Sequence, residues 1–182
     1  MRREPARVLF YSHDGIELGH PRQTLALAEE FARREPDAAI LIATDAQTVD
    51  ATRFPERVDL VKLPSVRVSE ALAGLRPTLG SGYTWRGLWA IREAILHETA
   101  RAFDPHLVIG DNEPAGMQGE LARTLRLVRD RAPRARTALG MNDCLGDGDR
   151  VIRRWEREGG WDALGSDYDR VLVFGQPDVF DP

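Results

Sequence analysis

Two histidines stand at the ends of a polar segment near the amino terminus, just beyond a short apolar run. The apolar residues 8–11 are followed by His13 and Asp14, and the segment closes at Gly19-His20 before an amphipathic stretch begins. A histidine at the amino end of a helix tends to stay neutral, because the positive end of the helix dipole disfavours the imidazolium. His20 is therefore a candidate general base for a hydroxyl group. The alternative is that it only caps the helix or hydrogen-bonds the loop.

Carboxylates and amides follow two later apolar runs in the same way. Asp111, Asn112 and Glu113 follow one of them and Asp143 follows the next, as Ser12 follows the first. The carboxyl ends of parallel strands share one edge of a sheet, so these side chains are expected to line a common crevice. Carboxylates in this position, here Asp111 and Glu113, can bind sugar hydroxyls or orient a histidine. Asp111 and Asn112 are also frequent turn formers, so a structural role is the alternative.

The first loop resembles a dinucleotide site only superficially. Such a site needs three closely spaced glycines, so that the backbone can approach a pyrophosphate. Here Gly15 and Gly19 are separated by three larger residues, one of which, Glu17, would repel phosphate. Asp45 is the candidate ribose ligand of that interpretation. A nicotinamide or flavin enzyme is consequently poorly supported.

Covalent and metal-dependent chemistry have little support in the sequence. Cys144 is the single cysteine, so it cannot form an internal disulfide, and no activating partner is evident beside it. No spaced cluster of histidine, cysteine and carboxylate suggests a metal site, and no G-x-S-x-G motif is present. We expect neither a metal nor a catalytic thiol.

Composition and charge indicate a globular protein, and the single cysteine is typical of a reducing cytoplasm. The chain has 182 residues, of which 42% are hydrophobic and 30% are charged, and its formal net charge is -4. An acidic chain without a basic patch is not expected to bind nucleic acid. Because no apolar run approaches the roughly 20 residues of a membrane span, and no signal-type segment precedes residue 8, neither a membrane span nor export is expected.

Apolar and amphipathic segments alternate along the chain, which is typical of a doubly wound α/β fold with a mainly parallel sheet. Strands are predicted at 8–11, 38–43, 58–63, 106–109, 136–141 and 170–174. Helices are predicted at 21–34, 85–103, 117–131 and 149–157. We therefore expect about six strands in a single domain over residues 1–182, without a specified strand order. The segment 65–84 is predicted to be irregular, because it is interrupted by three glycines and one proline: Gly74, Pro77, Gly80 and Gly82.

The predicted helix 85–103 carries two tryptophans near its start. Trp85 falls on an apolar stripe with Leu88, and Arg92 is assigned to another face. Trp89 and Trp85 would pack into the core by this interpretation. The alternative is that they stack on a sugar or enter a lipid headgroup layer.

Several motifs occur together and in order along almost the whole chain. They are Tyr11-Ser12-His13-Asp14, Leu18-Gly19-His20-x-Arg22, Lys62-Leu63-Pro64-Ser65, Asp111-x-Glu113-Pro114-x-Gly116, Gly140-x-x-Asp143, and Tyr168-Asp169 leading to Phe174-Gly175-x-Pro177-x-Val179-Phe180-Asp181. This combination resembles a bacterial family of predicted glycosyltransferases, distant relatives of the MurG type in glycosyltransferase family 28, which have the GT-B fold.

The resemblance implies the amino-terminal, acceptor-binding half of such an enzyme, with a Rossmann-like fold. The reaction would be an inverting, metal-independent transfer of a sugar from a nucleotide-sugar co-substrate to an acceptor hydroxyl, with no other cofactor. His20 would be the base, with Asp111 as its rival or as the group that orients the acceptor. The acceptor would contact Ser12, His13, Asp14, Gly19, Arg22, Asn112, Glu113 and Asp143.

Partners also follow from the resemblance. The acceptor is expected to be a sugar or a lipid-linked or other small molecule, with at most peripheral membrane contact. The donor-binding domain is expected outside this chain or on a separate subunit. Glu17 replaces a glycine that the family usually has, and Gln23 replaces an arginine, whereas His20 and Arg22 match. The competing hypothesis is a free-standing module that binds a sugar, a nucleotide or a partner without catalysis.

Overall fold

The computed structural model describes residues 4–13, 19–46, 57–69, 74–77, 83–142 and 147–175. The strands are β1 (Arg7–Ser12), β2 (Ala39–Thr44), β3 (Val58–Lys62), β4 (Val66–Ser69), β5 (Gly74–Pro77), β6 (Leu107–Asp111), β7 (Arg136–Asn142) and β8 (Arg170–Phe174). The helices are α1 (Gly19–Arg34), α2 (Trp85–Phe103), α3 (Ala122–Arg129), α4 (Gly148–Glu158) and α5 (Gly160–Ser166). Within these ranges no helix combines the length and apolar character needed to cross a bilayer.

Six parallel strands form the main sheet in the order β3-β2-β1-β6-β7-β8. β1 lies between β2 and β6, so the direction in which the chain advances across the sheet reverses between β1 and β6. The predicted doubly wound α/β fold and the predicted number of sheet strands are both confirmed. A reversal of this kind opens a crevice beyond the carboxyl ends of the two strands concerned.

The core has two layers, one on each face of the sheet, because successive side chains of a strand point in opposite directions. On the first face, which we call the α1 face, the buried residues are Val8, Phe10, Ala28, Ala38, Ile40, Ile42 and Val58. On the second face, the α2–α3 face, they include Leu9, Tyr11, Leu96, Val108, Leu121 and Leu125. β1 contributes alternately to both, which explains why its sequence is apolar without interruption.

The prediction of irregular structure over residues 65–84 is wrong in part. β4 and β5 pair as an antiparallel hairpin, with Val66 opposite Pro77 and Ser69 opposite Gly74. The glycine and the proline lie at the two ends of β5, where a strand tolerates them, instead of breaking it. Val66 is fully buried and anchors the start of the hairpin in the core.

The predicted helix at 117–131 is shorter than expected and is preceded by a 3₁₀ turn, Met117–Gly119. Gln118 and Gly119 have positive φ angles of 54° and 77°, which an α-helix cannot include. The regular helix α3 therefore begins only at Ala122. A further helix, α5, was not predicted; it starts directly after Gly159, whose φ of 74° ends α4.

Helix α2 has the predicted bounds, but its buried face differs from the prediction. Leu88, Arg92, Leu96 and Ala100 recur every four residues and are all fully buried, so the assignment of Arg92 to another face was wrong. Trp85 is 37% exposed. Its ring meets that of Trp89 edge to face at 5.3 Å, and the Arg92 guanidinium lies 4.9 Å from the centre of the Trp89 ring. Of the two tryptophans, the one that packs against the core is Trp89.

Candidate functional site

The carboxyl ends of β1 and β6 meet where the sheet reverses. Ser12 ends β1 and Asp111 ends β6, and the Ser12 hydroxyl donates a hydrogen bond of 3.4 Å to Oδ2 of Asp111. Ser12 is fully buried, so it supports Asp111 from below. The two residues are 99 positions apart in the chain, and the predicted convergence of strand ends brings them together.

Asp111 faces a narrow cleft between α1 and the sheet, which we call the Asp111 crevice. Its lining residues are Phe10, Tyr11, Gln23, Thr24, Leu27, Ile109, Gly110, Asp111, Gly140 and Phe174. Aromatic and aliphatic groups thus surround the carboxylate of Asp111, the amide of Gln23 and the hydroxyl of Thr24. The cleft has a volume of about 10 Å³, which is room for about one water molecule.

Helix α1 forms one wall of the Asp111 crevice and begins two residues earlier than predicted, at Gly19. Gly19 and His20 therefore lie in its first turn. Thr24 and Leu27, which lie further along α1, line the crevice. Arg22 is exposed.

The other predicted site residues of the first loop are only partly described. His13 is half-buried, and its ring lies 6.1 Å from the ring of Tyr11 at an angle of 24°. Asp14 lies outside the described residues, as does Asp143 after β7. In the described part of the chain no three His, Cys, Asp or Glu side chains cluster as metal ligands would.

Asn112 and Glu113 turn the chain away from Asp111. Asn112 has a φ of 61°, donates its N–H to the carbonyl of Gly140 at 2.7 Å, and accepts a bond of 3.1 Å from the N–H of Asn142. It thus ties the end of β6 to the end of β7. This is the turn-forming role that the sequence left open.

Glu113 is bound to helix α4. Its Oε2 accepts hydrogen bonds of 3.1 Å from Nε1 of Trp155 and from Nε of Arg154, and Arg154 also pairs with Oε1. Burial raises the pKa of Glu113, while Arg154 and Trp155 act in the opposite direction. Both carboxylate oxygens are engaged and Glu113 does not line the Asp111 crevice. The structure therefore does not bring Glu113 together with Asp111.

A second group of charges lies at the same edge of the sheet, on the α2–α3 face. Arg92 donates from Nε and Nη2 to the two oxygens of Glu120, both at 2.6 Å. Its Nη1 donates to Asp45 at 2.8 Å and to the carbonyl of Pro64 at 2.7 Å. The Tyr11 hydroxyl donates to Glu120 at 2.7 Å. We call Tyr11, Asp45, Arg92 and Glu120 the buried polar cluster.

The buried polar cluster is closed to solvent. The side chains of Arg92, Asp45 and Glu120 have no exposed surface. Burial alone would lower the pKa of Arg92, but the hydrogen bonds and charges of Glu120 and Asp45 raise it above its ordinary value, so the guanidinium stays protonated. Burial raises the pKa of Tyr11, which stays a hydrogen-bond donor.

Burial of Asp45 contradicts its assignment as a ribose ligand. In a dinucleotide site this carboxylate must reach a hydroxyl of the ligand, whereas here it is enclosed and bonded to Arg92. The nicotinamide hypothesis is thus left without its candidate ribose-binding residue. The signal that sequence reasoning missed was the four-residue spacing that puts Arg92 on the apolar stripe of α2.

Comparison with known proteins identifies the fold. No family model matches the chain, and no curated protein matches it either. A UGT of Medicago truncatula complexed with UDP-glucose superposes with a TM-score of 0.50 and 11% identity, over 96% of this chain and 47% of that one. A UDP-N-acetylglucosamine 2-epimerase superposes with a TM-score of 0.52 and 12% identity, over 93% and 42%.

A Listeria monocytogenes protein described as a UDP-N-acetylglucosamine 2-epimerase gives a TM-score of 0.51 and 13% identity, over 93% of this chain and 39% of that one. The chain has the fold of one GT-B domain. It spans less than half the length of each of these solved structures. At such low identity the similarity concerns the fold alone.

Proposed function

We propose that this chain is the acceptor-binding half of an inverting, metal-independent glycosyltransferase that uses a nucleotide-sugar donor. The observation that carries the proposal is the position of Asp111. It lies where the sheet reverses, supported by Ser12 and opposite the helix that begins at Gly19-His20. The solved structures of the same fold are named for UDP-glucose or UDP-N-acetylglucosamine, which supports a nucleotide-sugar as the donor.

In this mechanism His20 removes the proton from an acceptor hydroxyl while the oxygen attacks the anomeric carbon of the donor sugar. The bond between that carbon and the nucleotide phosphate breaks on the opposite side, so the configuration at the carbon inverts. The carboxylate of Asp111 orients the acceptor hydroxyl and favours the positive charge that develops on His20. The departing nucleotide would be held by a donor-binding domain or subunit outside this chain.

The partners follow from the same proposal. The acceptor is a sugar or a lipid-linked or other small molecule, and the nucleotide-sugar is a co-substrate in place of a cofactor. Nucleic acid is not a proposed partner, because the net charge of -4 would oppose a polyanion. We place the reaction in the cytoplasm, with at most peripheral contact to a membrane.

The test is the transfer rate of a His20→Ala variant of the full-length or reassembled enzyme. Loss of the general base is expected to lower kcat by about 10² to 10⁴-fold, with little change in the KM of the donor. His97→Ala is the matched control, because His97 lies on α2, where its Nδ1 meets the exposed Glu98, 3.1 Å from Oε1. A His20→Ala enzyme that retains the wild-type rate would contradict the proposal. Acceptor binding without any turnover would favour the binding module.

A further inference from the structure

The two edge strands of the main sheet differ in the side chains that they expose. β3 exposes the charged residues Asp59 and Lys62, and charges on an edge strand discourage pairing with the strand of another molecule. β8 instead exposes three consecutive apolar residues, which are Val171, Leu172 and Val173. The one charge within β8 belongs to Arg170, at its start. β8 therefore lacks the protection that β3 has.

The exposed apolar side chains of β8 belong to both faces of the sheet. Leu172 pairs with Gly140 of β7, which lines the Asp111 crevice, so Leu172 lies on the α1 face. The valines on either side of it lie on the α2–α3 face, because side chains alternate along a strand. Helix α1 packs against β1 and β2, which are three and four strands away from β8. Among the described residues no strand pairs with the outer edge of β8, so its backbone can bond to another strand.

The sequence of β8 is symmetrical about Leu172, because a valine precedes it and another follows it. In an antiparallel pair of two β8 strands centred on Leu172, each Val171 lies opposite Val173 of the other copy. Aliphatic and β-branched residues that lie opposite each other stabilise such a pair. Each Arg170 lies opposite Phe174, and the Cα atoms of the two Arg170 residues are about 14 Å apart. A parallel pair would instead bring the two guanidinium groups together.

We propose that β8 is the contact surface for a second copy of this chain, which pairs with it in antiparallel about Leu172 and extends the sheet across both copies. Pairing of a strand with itself in this orientation is isologous, so it closes as a dimer and leaves no free β8 edge. Only five residues of each copy take part, which is less than the interface of about 1,600 Å² in a typical stable complex. The dimer is therefore expected to be weak, with a Kd on the order of 10 to 100 µM. This inference does not depend on the proposed function.

The first test is sedimentation velocity of the chain at concentrations from about 1 to 300 µM, a range that brackets the expected Kd. The mass is expected to rise from that of one chain to that of two. Leu172→Lys places two ammonium groups opposite each other and is expected to raise the Kd at least about tenfold. The mass of a single chain at every concentration, or an equal Kd for the wild type and Leu172→Lys, would overturn the proposal.

Ile152→Lys is the matched control for the lysine variant. Ile152 lies on α4 and is 45% exposed, close to the 43% of Leu172, so both lysines replace an apolar side chain of similar exposure. Ile152→Lys is expected to keep the wild-type Kd, and both variants are expected to keep the wild-type unfolding midpoint. An equal rise in Kd for the two variants would show that the added charge acts without regard to β8, and would overturn the proposal.

Disulfide formation tests the antiparallel arrangement without a disruptive charge. In a Cys144→Ser background, which removes the single natural cysteine, Leu172→Cys is expected to link two copies under mild oxidation. Opposite residues of an antiparallel pair have Cα atoms about 4.5 to 5.5 Å apart, which a disulfide can bridge. Arg170→Cys is the control, because about 14 Å exceeds the reach of a disulfide. No link through Leu172→Cys, or equally fast linking through Arg170→Cys, would overturn the proposed pairing.

The competing occupant of β8 is the donor-binding half of the proposed enzyme. Hydrogen exchange of residues 170–174 in the full-length or reassembled enzyme distinguishes the two. If a second copy covers β8, protection from exchange is expected to rise with protein concentration and to be lost in Leu172→Lys. Protection that does not change with concentration, in an enzyme that sediments as a monomer, would assign β8 to the other half and overturn the inference.

Discussion

The two faces of the sheet use acidic residues differently at the same edge. On the α2–α3 face, Asp45 and Glu120 are fully enclosed and bonded to Arg92. On the α1 face, Asp111 borders a cleft with apolar walls. The comparison teaches that residue type and strand position do not distinguish the two kinds of carboxylate, since Asp45 and Asp111 both stand at or just after the ends of strands. The neighbours of the two carboxylates differ: Asp45 is bonded to the Arg92 guanidinium, whereas Asp111 accepts a bond from the Ser12 hydroxyl.

The largest expected effect on stability is at Arg92. Arg92→Met keeps much of the side-chain volume but leaves the carboxylates of Asp45 and Glu120 buried without their cation, which is expected to cost about 3 to 5 kcal/mol in the free energy of unfolding. Urea denaturation followed by circular dichroism measures this loss. Arg101→Met is the control, because Arg101 lies on the same helix in an exposed pair with Glu98 and is expected to cost less than about 1 kcal/mol. Similar losses in the free energy of unfolding for Arg92→Met and Arg101→Met would contradict the stabilising role given to the buried polar cluster.

A smaller contrast is expected between two adjacent residues of β1 that belong to opposite faces. Tyr11→Phe removes the donor to Glu120 and the acceptor of the Met117 N–H, which bonds the phenol at 3.0 Å, and is expected to cost about 1 to 3 kcal/mol. Among the described residues, Ser12→Ala removes the long bond to Asp111 and is expected to cost less than about 1 kcal/mol.

We expect the effects of these two variants on kcat to have the opposite order. Because Ser12 supports Asp111, Ser12→Ala is expected to lower kcat severalfold, whereas folded Tyr11→Phe enzyme should keep nearly the wild-type kcat. Denaturation curves and initial rates on the same preparations check both statements. A larger kcat loss in Tyr11→Phe than in Ser12→Ala would show that the buried polar cluster, and not only the α1 face, controls the reaction.

Much of the fold was predictable because its signals are local. Uninterrupted apolar runs predicted the sheet strands, and the bounds of α2 and β8 agree with the sequence pattern. The hairpin β4–β5 was missed, because Gly74 and Pro77 were interpreted as breaks although they lie at the ends of a short strand. Helix α5 follows α4 without a connecting loop, so no separate start signal was apparent.

The site was predictable only where it depends on strand ends. The convergence of Ser12 and Asp111 follows from parallel strands that share an edge. The buried polar cluster could not be predicted in this way, because Arg92 lies 47 residues from Asp45 and 28 residues from Glu120 in the sequence. The Glu113 side chain reaches Trp155 of α4 because the chain turns at Asn112. No local sequence pattern predicted the positive φ of 61° at that residue.

Asp111 is expected to contribute more to the reaction than to the stability of the fold. The most direct test is to measure the denaturation midpoint and the transfer rate of Asp111→Asn in the full-length or reassembled enzyme. We expect a change of less than about 1 kcal/mol in the free energy of unfolding together with a loss of about 100-fold in kcat. A variant with the wild-type rate, or one whose lower rate is explained by a lower folded fraction, would contradict the account.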